Sequence, residues 1–301
     1  MAACVILNPY SNRWNARKRR QELETALRQA GLEYVVAESL HRGHPVSLAE
    51  KAVLEGYSPI IAAGGDGTIG DVINGMARAA APGAKLGPLG VMGLGTANDL
   101  IYNLKLPLAL DQAAQVIAAG NVRELDLCRV NDTYFTNNSA IGLEPYVTLI
   151  QQRIGFISGI ARYLVAAIRG ILDHPVWQAE IEWEGGSFQG SISLCTAGNC
   201  PRTGGVFFMT PHADPFDGKL TFVYGYGKSR WRLFQLLPAA MKPGAGNYVE
   251  APEIQEVHSP WIRIRLDRPS PAHADGEIFG TDLREFHYSV EPGRLSLLVG
   301  S

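Results

Sequence analysis

Residues 59–80 read PIIAAGGDGTIGDVINGMARAA: an uncharged run, three glycines around an aspartate, then apolar residues at helical spacing. That order specifies a strand, a tight turn and a helix. A strand with no polar alternation is buried on both faces, which is the habit of a parallel sheet covered by helices above and below. The neighbouring segments repeat the theme. CVILNP, ARKRRQELETALRQAG, EYVVAES and PVSLAEKAVLEG come before it, and LGVMGLG and LDQAAQVIAAG follow it, so strands and helices alternate through the first third. A doubly wound parallel α/β domain is the expected outcome.

From about residue 126 the period changes. QAEIEWEGGSFQGSISLCTAG alternates apolar and polar residues around EGGS, and SPWIRIRLDR sets Ile262, Ile264 and Leu266 opposite Arg263 and Arg265. This half is expected to be mostly antiparallel β. One helix is expected within it, at about 152–172, with Ile157, Ile160, Tyr163, Leu164, Ala167, Ile168 and Ile171 on one broad face. RLSLLVG near the C-terminus reads as a final strand. A chain of 301 residues exceeds the usual single core, so two domains fit the length.

Composition narrows the function classes. With 46% hydrophobic and 19% charged residues and a net charge of −2, the chain has the balance of a soluble globular protein and no global nucleic-acid signature. Cys4, Cys128, Cys195 and Cys200 lack metal-site spacing and read as buried thiols in a reducing compartment. The N-terminus has no basic stretch before its apolar run, and the apolar stretch 156–172 is interrupted by Arg162 and Arg169. Neither an export signal nor a spanning helix is expected, and a cytoplasmic location follows.

Three stretches carry chemistry. GGDGT, residues 64–68, joins a strand to a helix, where free amides and the positive end of the helix dipole suit a phosphate. It is neither a Walker loop nor a dinucleotide fingerprint, since both GxxxxGK[ST] and GxGxxG are missing there. The plainer alternative is a tight turn capped by Asp66. GLGTANDL, residues 93–100, closes the next strand, and Gly95, Thr96, Asn98 and Asp99 would share the same end of the sheet. ADGEIFG, residues 274–280, offers Asp275 and Glu277 to a hydroxyl or a metal, with a solvated hairpin turn as an equal alternative.

Taken together and in order, GGDGTIGDVINGM, GLGTANDL, DGKL and DGE resemble the soluble bacterial diacylglycerol kinase and lipid kinase family, related to sphingosine and ceramide kinases. The likeness runs from LNPYSN to the last strand. It implies an ATP-binding α/β domain over 1–125 plus about 286–301, and a β-sandwich-like lipid-substrate domain over 126–285, the chain's end returning to the first domain. It implies nucleotide contacts at Asn8, Pro9, Tyr10, Ser11, Asn12, Ser39, Gly64, Gly65, Asp66, Gly67, Thr68, Ile69, Gly70, Asp71, Gly95, Thr96, Asn98 and Asp99. Asp66, Asp99 and Asp126 would feed the water network of a nucleotide-bound Mg²⁺. A structural cation would use Asp217 with backbone oxygens of Asp214 and Lys219. Asp66 would be needed for catalysis, and Asp275 would take the acceptor proton, with Glu277 as its rival.

Some positions depart from the family pattern. Asn12 and Trp14 stand where small glycines are usual, Ser39 replaces a threonine, Gly70 and Asp71 replace an asparagine-glutamate pair, and Gly93 replaces a proline. The implied reaction is ATP-dependent phosphorylation of a lipid hydroxyl, on diacylglycerol or a sphingoid-like alcohol. A kinase of a soluble acceptor and a nucleotide-binding regulator without turnover are the alternatives. A long-chain substrate calls for an apolar cleft between the domains, and the helix at 152–172 with Arg153, Arg162 and Arg169, together with Phe207, Phe208 and Met209, would wall it or would pack as ordinary core. Peripheral contact with the inner membrane face and a homodimer are compatible with this reading; nucleic acid is not a partner.

Overall fold

A computed structural model of the chain describes residues 2–12, 14–155, 159–173, 175–227 and 229–300. It divides into two compact units, one of residues 1–127 with 291–301, the other of residues 128–290. The chain crosses between them inside two strands, at 127/128 and 290/291, against expected limits of 125/126 and about 285/286.

The first unit runs β1 (Ala3–Leu7), α1 (Asn15–Lys18), α2 (Arg20–Gln29), β2 (Tyr34–Glu38), α3 (His44–Leu54), β3 (Ile60–Gly64), α4 (Asp66–Ala79), β4 (Leu86–Gly93), α5 (Asp99–Asn103), α6 (Leu110–Ala119) and the start of β5 (Val122–Val130). β1 pairs in parallel with β2 and β3, β3 with β4, and β4 with the end of the last strand through Leu86↔Leu295 and Leu89↔Leu297. Every residue of β1 and β3 is buried, as their apolar runs require. Leu23 and Leu27 of α2 and Ala113 and Ile117 of α6 bury against Val5, Leu7, Ile61 and Met92 on one face. On the other, α3 and α4 pack on β1, β3 and each other so tightly that a methyl on Gly75 would meet the Val46 carbonyl oxygen at 2.1 Å. The order β2-β1-β3-β4 reverses direction between β1 and β3, and in such sheets ligands bind beyond the strand C-termini at that switch point.

The second unit continues with β6 (Thr133–Phe135), β7 (Asn138–Gly142), α7 (Leu143–Arg153), α8 (Gly159–Asp173), β8 (Trp177–Trp183), β9 (Gly186–Ile192), β10 (Leu194–Gly198), β11 (Leu220–Gly225), α9 (Arg230–Ala239), β12 (Ile254–Ser259), β13 (Trp261–Ala274) and β14 (Glu277–Leu298). Its pairings are antiparallel, in the order β12-β11-β10-β7-β13-β14, with the β8–β9 hairpin added on β13. The alternation expected over 261–266 is present, with Ile262, Ile264 and Leu266 buried beside Phe135, Phe222 and Phe286 while Arg263 and Arg265 are exposed.

The helices of this unit correct the expectation of one helix at 152–172. Three occur. α7 ends at Arg153 before Gly155, α8 begins at Gly159, and α9 lies far downstream. A proline in the first turn of α7 and Pro238 inside α9 had masked their helical spacing. Ile157 lies outside the described residues. Tyr163, Ala167 and Ile171 share the inward face of α8, whereas Ile168 is on its outer side. Among the described residues no helix is long and apolar enough to cross a membrane.

Candidate active site

In the first unit three loops leave the C-terminal ends of β1, β3 and β4. The β3 turn has no room for side chains: a methyl on Gly64 would lie 2.4 Å from the Thr68 hydroxyl oxygen, and one on Gly95 would lie 2.5 Å from the Gly65 Cα. The GGDGT and GLGT turns therefore touch backbone to backbone. The Leu94 amide donates to the Gly64 carbonyl at 2.8 Å, and the Asp66 carboxylate accepts from the Leu100 amide at 3.1 Å, so Asp66 pins its turn to the start of α5. Asn98, at positive φ, closes its own loop by accepting from the Gly95 amide and donating to the Gly95 carbonyl.

The N-terminus of α4 opens at this point. Gly65 is its N-cap, and no side chain caps it. The first amides of a helix lack intrahelical partners, and 14 residues of aligned peptide dipoles stand behind them. The turn is thus an anion site in physical terms, and the plainer reading of Asp66 as the cap of α4 does not hold, since Gly65 is the N-cap and the Asp66 carboxylate accepts instead from Leu100 at the start of α5. Ile69 and Gly70 are buried in the first turns of α4, and Asp71 is half-buried.

The first loop folds onto the same helix. Asn8 donates to the Thr68 hydroxyl at 2.9 Å, Ser11 lies 3.4 Å from that hydroxyl, and the Thr96 hydroxyl donates to Asn12 at 3.3 Å. Pro9 is buried, and the Tyr10 hydroxyl donates to the Leu40 carbonyl beyond β2. Asn12 and Trp14, the residues standing where glycine was expected, both have positive φ, 50° and 72°. The backbone thus keeps the left-handed conformation that glycine adopts freely, and Trp14 holds it with its ring edge-on to Tyr10 at 4.4 Å. Ser39, at the end of β2, is buried, and its hydroxyl has no hydrogen-bond partner among the described residues.

The DGE stretch lies in the second unit as the turn of the β13–β14 hairpin. Asp275 and Gly276 occupy a two-residue loop at φ 46° and 80°, between the paired Ala274 and Glu277. Positive φ at both positions is the requirement of a type I′ turn. Yet Asp275 is buried. One carboxylate oxygen accepts from the Asn137 and Asn138 amides at 2.8 and 3.1 Å, the other from the Thr136 amide and hydroxyl at 2.8 and 3.1 Å. An ionised carboxylate has about four acceptor positions, and all four are used. Glu277 is exposed on the same turn.

The candidate cation ligands do not converge. Among the described residues no three His, Cys, Asp or Glu side chains gather in a cluster. Asp126, buried in the first unit, accepts from the Gly293 amide at 2.8 Å. Asp214 and Asp217 are exposed, and each folds back on its own loop, accepting from the Phe216 and Lys219 amides respectively. Such a loop gives a cation one carboxylate and backbone carbonyls, a partial set for a hard ion. The four cysteines are buried and form no disulfide, and burial pushes the Cys195 thiol up to about 12, which leaves it inert.

Sequence reasoning missed Glu144. Within the second unit an apolar cavity of about 80 Å³ is walled by Val147 of α7, Tyr163, Ala167 and Ile171 of α8, Leu233, Leu236 and Leu237 of α9, and Phe207 and Met209. Glu144 lines it too, and accepts from Asn138 at 2.9 Å, Thr196 at 2.8 Å and His273 at 3.1 Å. Burial pushes its carboxyl up, but the His273 charge and hydrogen bond, with those of Asn138 and Thr196, outweigh burial and hold it below the usual range. The signal was an acid closing the otherwise uncharged run NSAIGLE.

Comparison with known proteins follows the same division. Residues 2–130 match the diacylglycerol kinase catalytic domain, and residues 138–299 match the YegS C-terminal NAD kinase beta sandwich-like domain. "Probable lipid kinase YegS" of Salmonella paratyphi A is 30% identical over 280 residues, covering 91% of this chain and 89% of the relative. "Diacylglycerol kinase" of Staphylococcus carnosus is 26% identical over 279 residues, covering 92% and 89%. A crystal structure of a diacylglycerol kinase from Bacillus anthracis superposes with a TM-score of 0.75 at 18% identity, over 99% of this chain and 97% of that one, a likeness of fold.

Proposed function

This chain belongs to the diacylglycerol kinase family of lipid kinases, and we propose that it transfers the γ-phosphoryl group of ATP to a hydroxyl of diacylglycerol or a sphingoid-like alcohol. The observation that carries the lipid half of this reading is the apolar cavity among α7, α8 and α9: a soluble, charged acceptor has no use for a pocket walled by leucine, isoleucine and phenylalanine.

The first unit supplies the donor. The uncapped start of α4 and the glycine backbone of residues 64–67 and 95 hold the phosphate tail, with Asn8, Ser11, Thr68 and Thr96 closing around it. Phosphoryl transfer needs positioning and neutralisation of charge more than covalent help, and rigid amides supply both. Magnesium, when bound with the nucleotide, adds positive charge at the phosphates. Among the described residues no three carboxylates form a cage for it, so Asp66, Asp99 and Asp126 would act on its water shell.

The second unit supplies the acceptor and its base. A new bond forms from the lipid oxygen to the γ-phosphorus as the bond to the β–γ bridging oxygen breaks, and the hydroxyl proton passes to a carboxylate. Asp275 has no acceptor position left for that proton, so we reassign the role to Glu277 and make Asp275 the positioning residue that fixes the turn. An aspartate or glutamate is ionised at neutral pH and a weak base, which suits late proton transfer.

Purified protein incubated with labelled ATP, Mg²⁺, mixed-micelle lipids and soluble acceptors tests the proposal. Label is expected in the lipid phase, and Asp66→Ala is expected to abolish it with the melting temperature within a few degrees of the parent. Label in an aqueous acceptor would replace the lipid with a metabolite. Label in neither phase, with ATP still bound, would leave a regulator.

A further inference from the structure

The carboxylate of Glu144, unlike that of Asp275, keeps an acceptor position with no donor among the described residues. Oε1 accepts from the Asn138 side chain at 2.9 Å and from His273 at 3.1 Å, while Oε2 accepts from the Thr196 hydroxyl alone at 2.8 Å. Three donors thus meet an anion with about four positions. The carboxyl is held below the usual range, so at neutral pH it only accepts. Among the described residues that wall the cavity it alone carries a charge; two tyrosines aside, the rest are apolar. An apolar side chain of similar volume would close this wall without needing three donors to hold it. A charge kept at such a wall is an acceptor presented to whatever enters.

Asn138 joins this acid to the DGE turn. Its amide donates to the Asp275 carboxylate at 3.1 Å, its carbonyl accepts from the Asp275 amide at 2.8 Å, and its side chain donates to Glu144 while accepting from the Thr203 hydroxyl at 2.8 Å. His273, the other donor to Oε1, stands two residues before Asp275 on β13. The acid at the cavity and the turn that carries Glu277 are therefore fixed by the same few residues, and a substrate held by both would be held in one register.

We infer that Glu144 reads a second free hydroxyl on the acceptor lipid, beside the one that takes the phosphate, and so selects a single-chain diol over a diacylglycerol. This rests on the lipid kinase reading and narrows it. A monoacylglycerol or an N-acylated sphingoid alcohol brings that hydroxyl, whose one proton fits the one remaining position on Oε2. An ammonium would bring three N–H groups to a wall with a single acceptor and leave the others facing apolar side chains. A diacylglycerol presents an ester in the same place, so its oxygens would meet a carboxylate with no proton between them. Tyr248 does not substitute for Glu144, since its hydroxyl donates to the Met209 carbonyl at 2.6 Å.

The test compares a monoacylglycerol with its 2-deoxy analogue, the monoester of propanediol, and with a diacylglycerol of the same chain length, in mixed micelles with labelled ATP and Mg²⁺. The full chain is expected to favour the diol over the deoxy analogue by at least about tenfold in kcat/KM, chiefly through KM, the size of one hydrogen bond to a charged group. Glu144→Gln, its fold checked by circular dichroism, keeps an oxygen for Asn138 and His273 and turns an N–H toward the cavity. It is expected to reduce the preference to about twofold or less. N-acetylsphingosine and the monoacylglycerol both carry the second hydroxyl, and the better substrate of the two identifies its backbone. A parent that treats diol and deoxy analogue alike overturns the inference without any variant, as does a folded Glu144→Gln protein with the preference intact. A preference for free sphingosine over N-acetylsphingosine that Glu144→Gln abolishes overturns it in favour of an ammonium site. Calorimetric binding of the same lipids without nucleotide separates the two readings. If nothing is phosphorylated while the diol still binds at least about tenfold more tightly than its deoxy analogue, through Glu144, the second-hydroxyl site stands and the lipid kinase reading falls.

Discussion

Two of the turns in this molecule that hold an aspartate beside glycine, at residues 64–67 and 275–276, are built in opposite ways. At residues 64–67 the carbonyls of Gly64 and Gly65 are bonded, but the amides at the start of α4 are left without a side-chain cap, and two glycine turns press together so that no side chain covers them. At residues 275–276 every acceptor position is filled, four donors from residues 136–138 converging on one carboxylate. An unsatisfied, rigid turn is a site waiting for a ligand, whereas a saturated one is a fixed point of the scaffold. A DG pair is therefore no guide to chemistry until its hydrogen bonds are counted.

The sharpest way to break this contrast is at the exposed neighbour of the saturated turn. Glu277→Gln is expected to lower kcat by about 10²–10⁴ with the melting temperature unchanged, because it removes the proposed base from an exposed position. A variant retaining more than a tenth of parental kcat would return the proton to another group. Gly95→Ala tests the open turn. Its new methyl collides with the Gly65 Cα, and a displacement of that order costs about 10²-fold in a positioned reaction. Loss should appear in ATP affinity by calorimetry as well as in turnover; unaltered ATP binding would separate the two glycine turns.

Asp275→Asn comes next in size and differs in kind. An amide nitrogen replaces one acceptor oxygen and faces donors, so about 2–4 kcal/mol of stability should be lost, read from urea unfolding. Turnover should fall roughly in step with the turn's disorder, about tenfold. A stable but dead Asp275→Asn protein would restore Asp275 as the proton acceptor and make the saturated turn the reactive one.

What the sequence reveals of these two turns follows from distance along the chain. β3, its glycines and α4 are contiguous, so period and composition specify them together, and the strand-helix alternation of the first unit was legible for the same reason. The antiparallel alternation of 261–266 was legible too. The partners of Asp275 lie 137–139 residues away, and no local pattern reports a bond of that span. Likewise α7 and α9 hide behind prolines, and the cavity needs three helices from two stretches of chain before it exists. The positive φ of Asn12 and Trp14 was foreshadowed only by the glycines their positions were expected to hold.

The smallest expected effect extends the contrast to a third carboxylate, one that is both hydrogen-bonded and aimed at a cavity. Glu144 is held below the usual glutamate range in the folded chain, so its contribution to stability is complete above the unfolded value of about 4.3 and disappears as pH falls through the lower folded value. Glu144→Gln keeps the shape and one acceptor while removing the charge that faces His273. Melting temperatures of parent and variant should therefore differ most above about pH 5 and converge progressively below about pH 4. A gap that stayed constant through the acid range would mean that the carboxyl is neutral in the fold, held by hydrogen bonds alone, and that His273 contributes no charge to it.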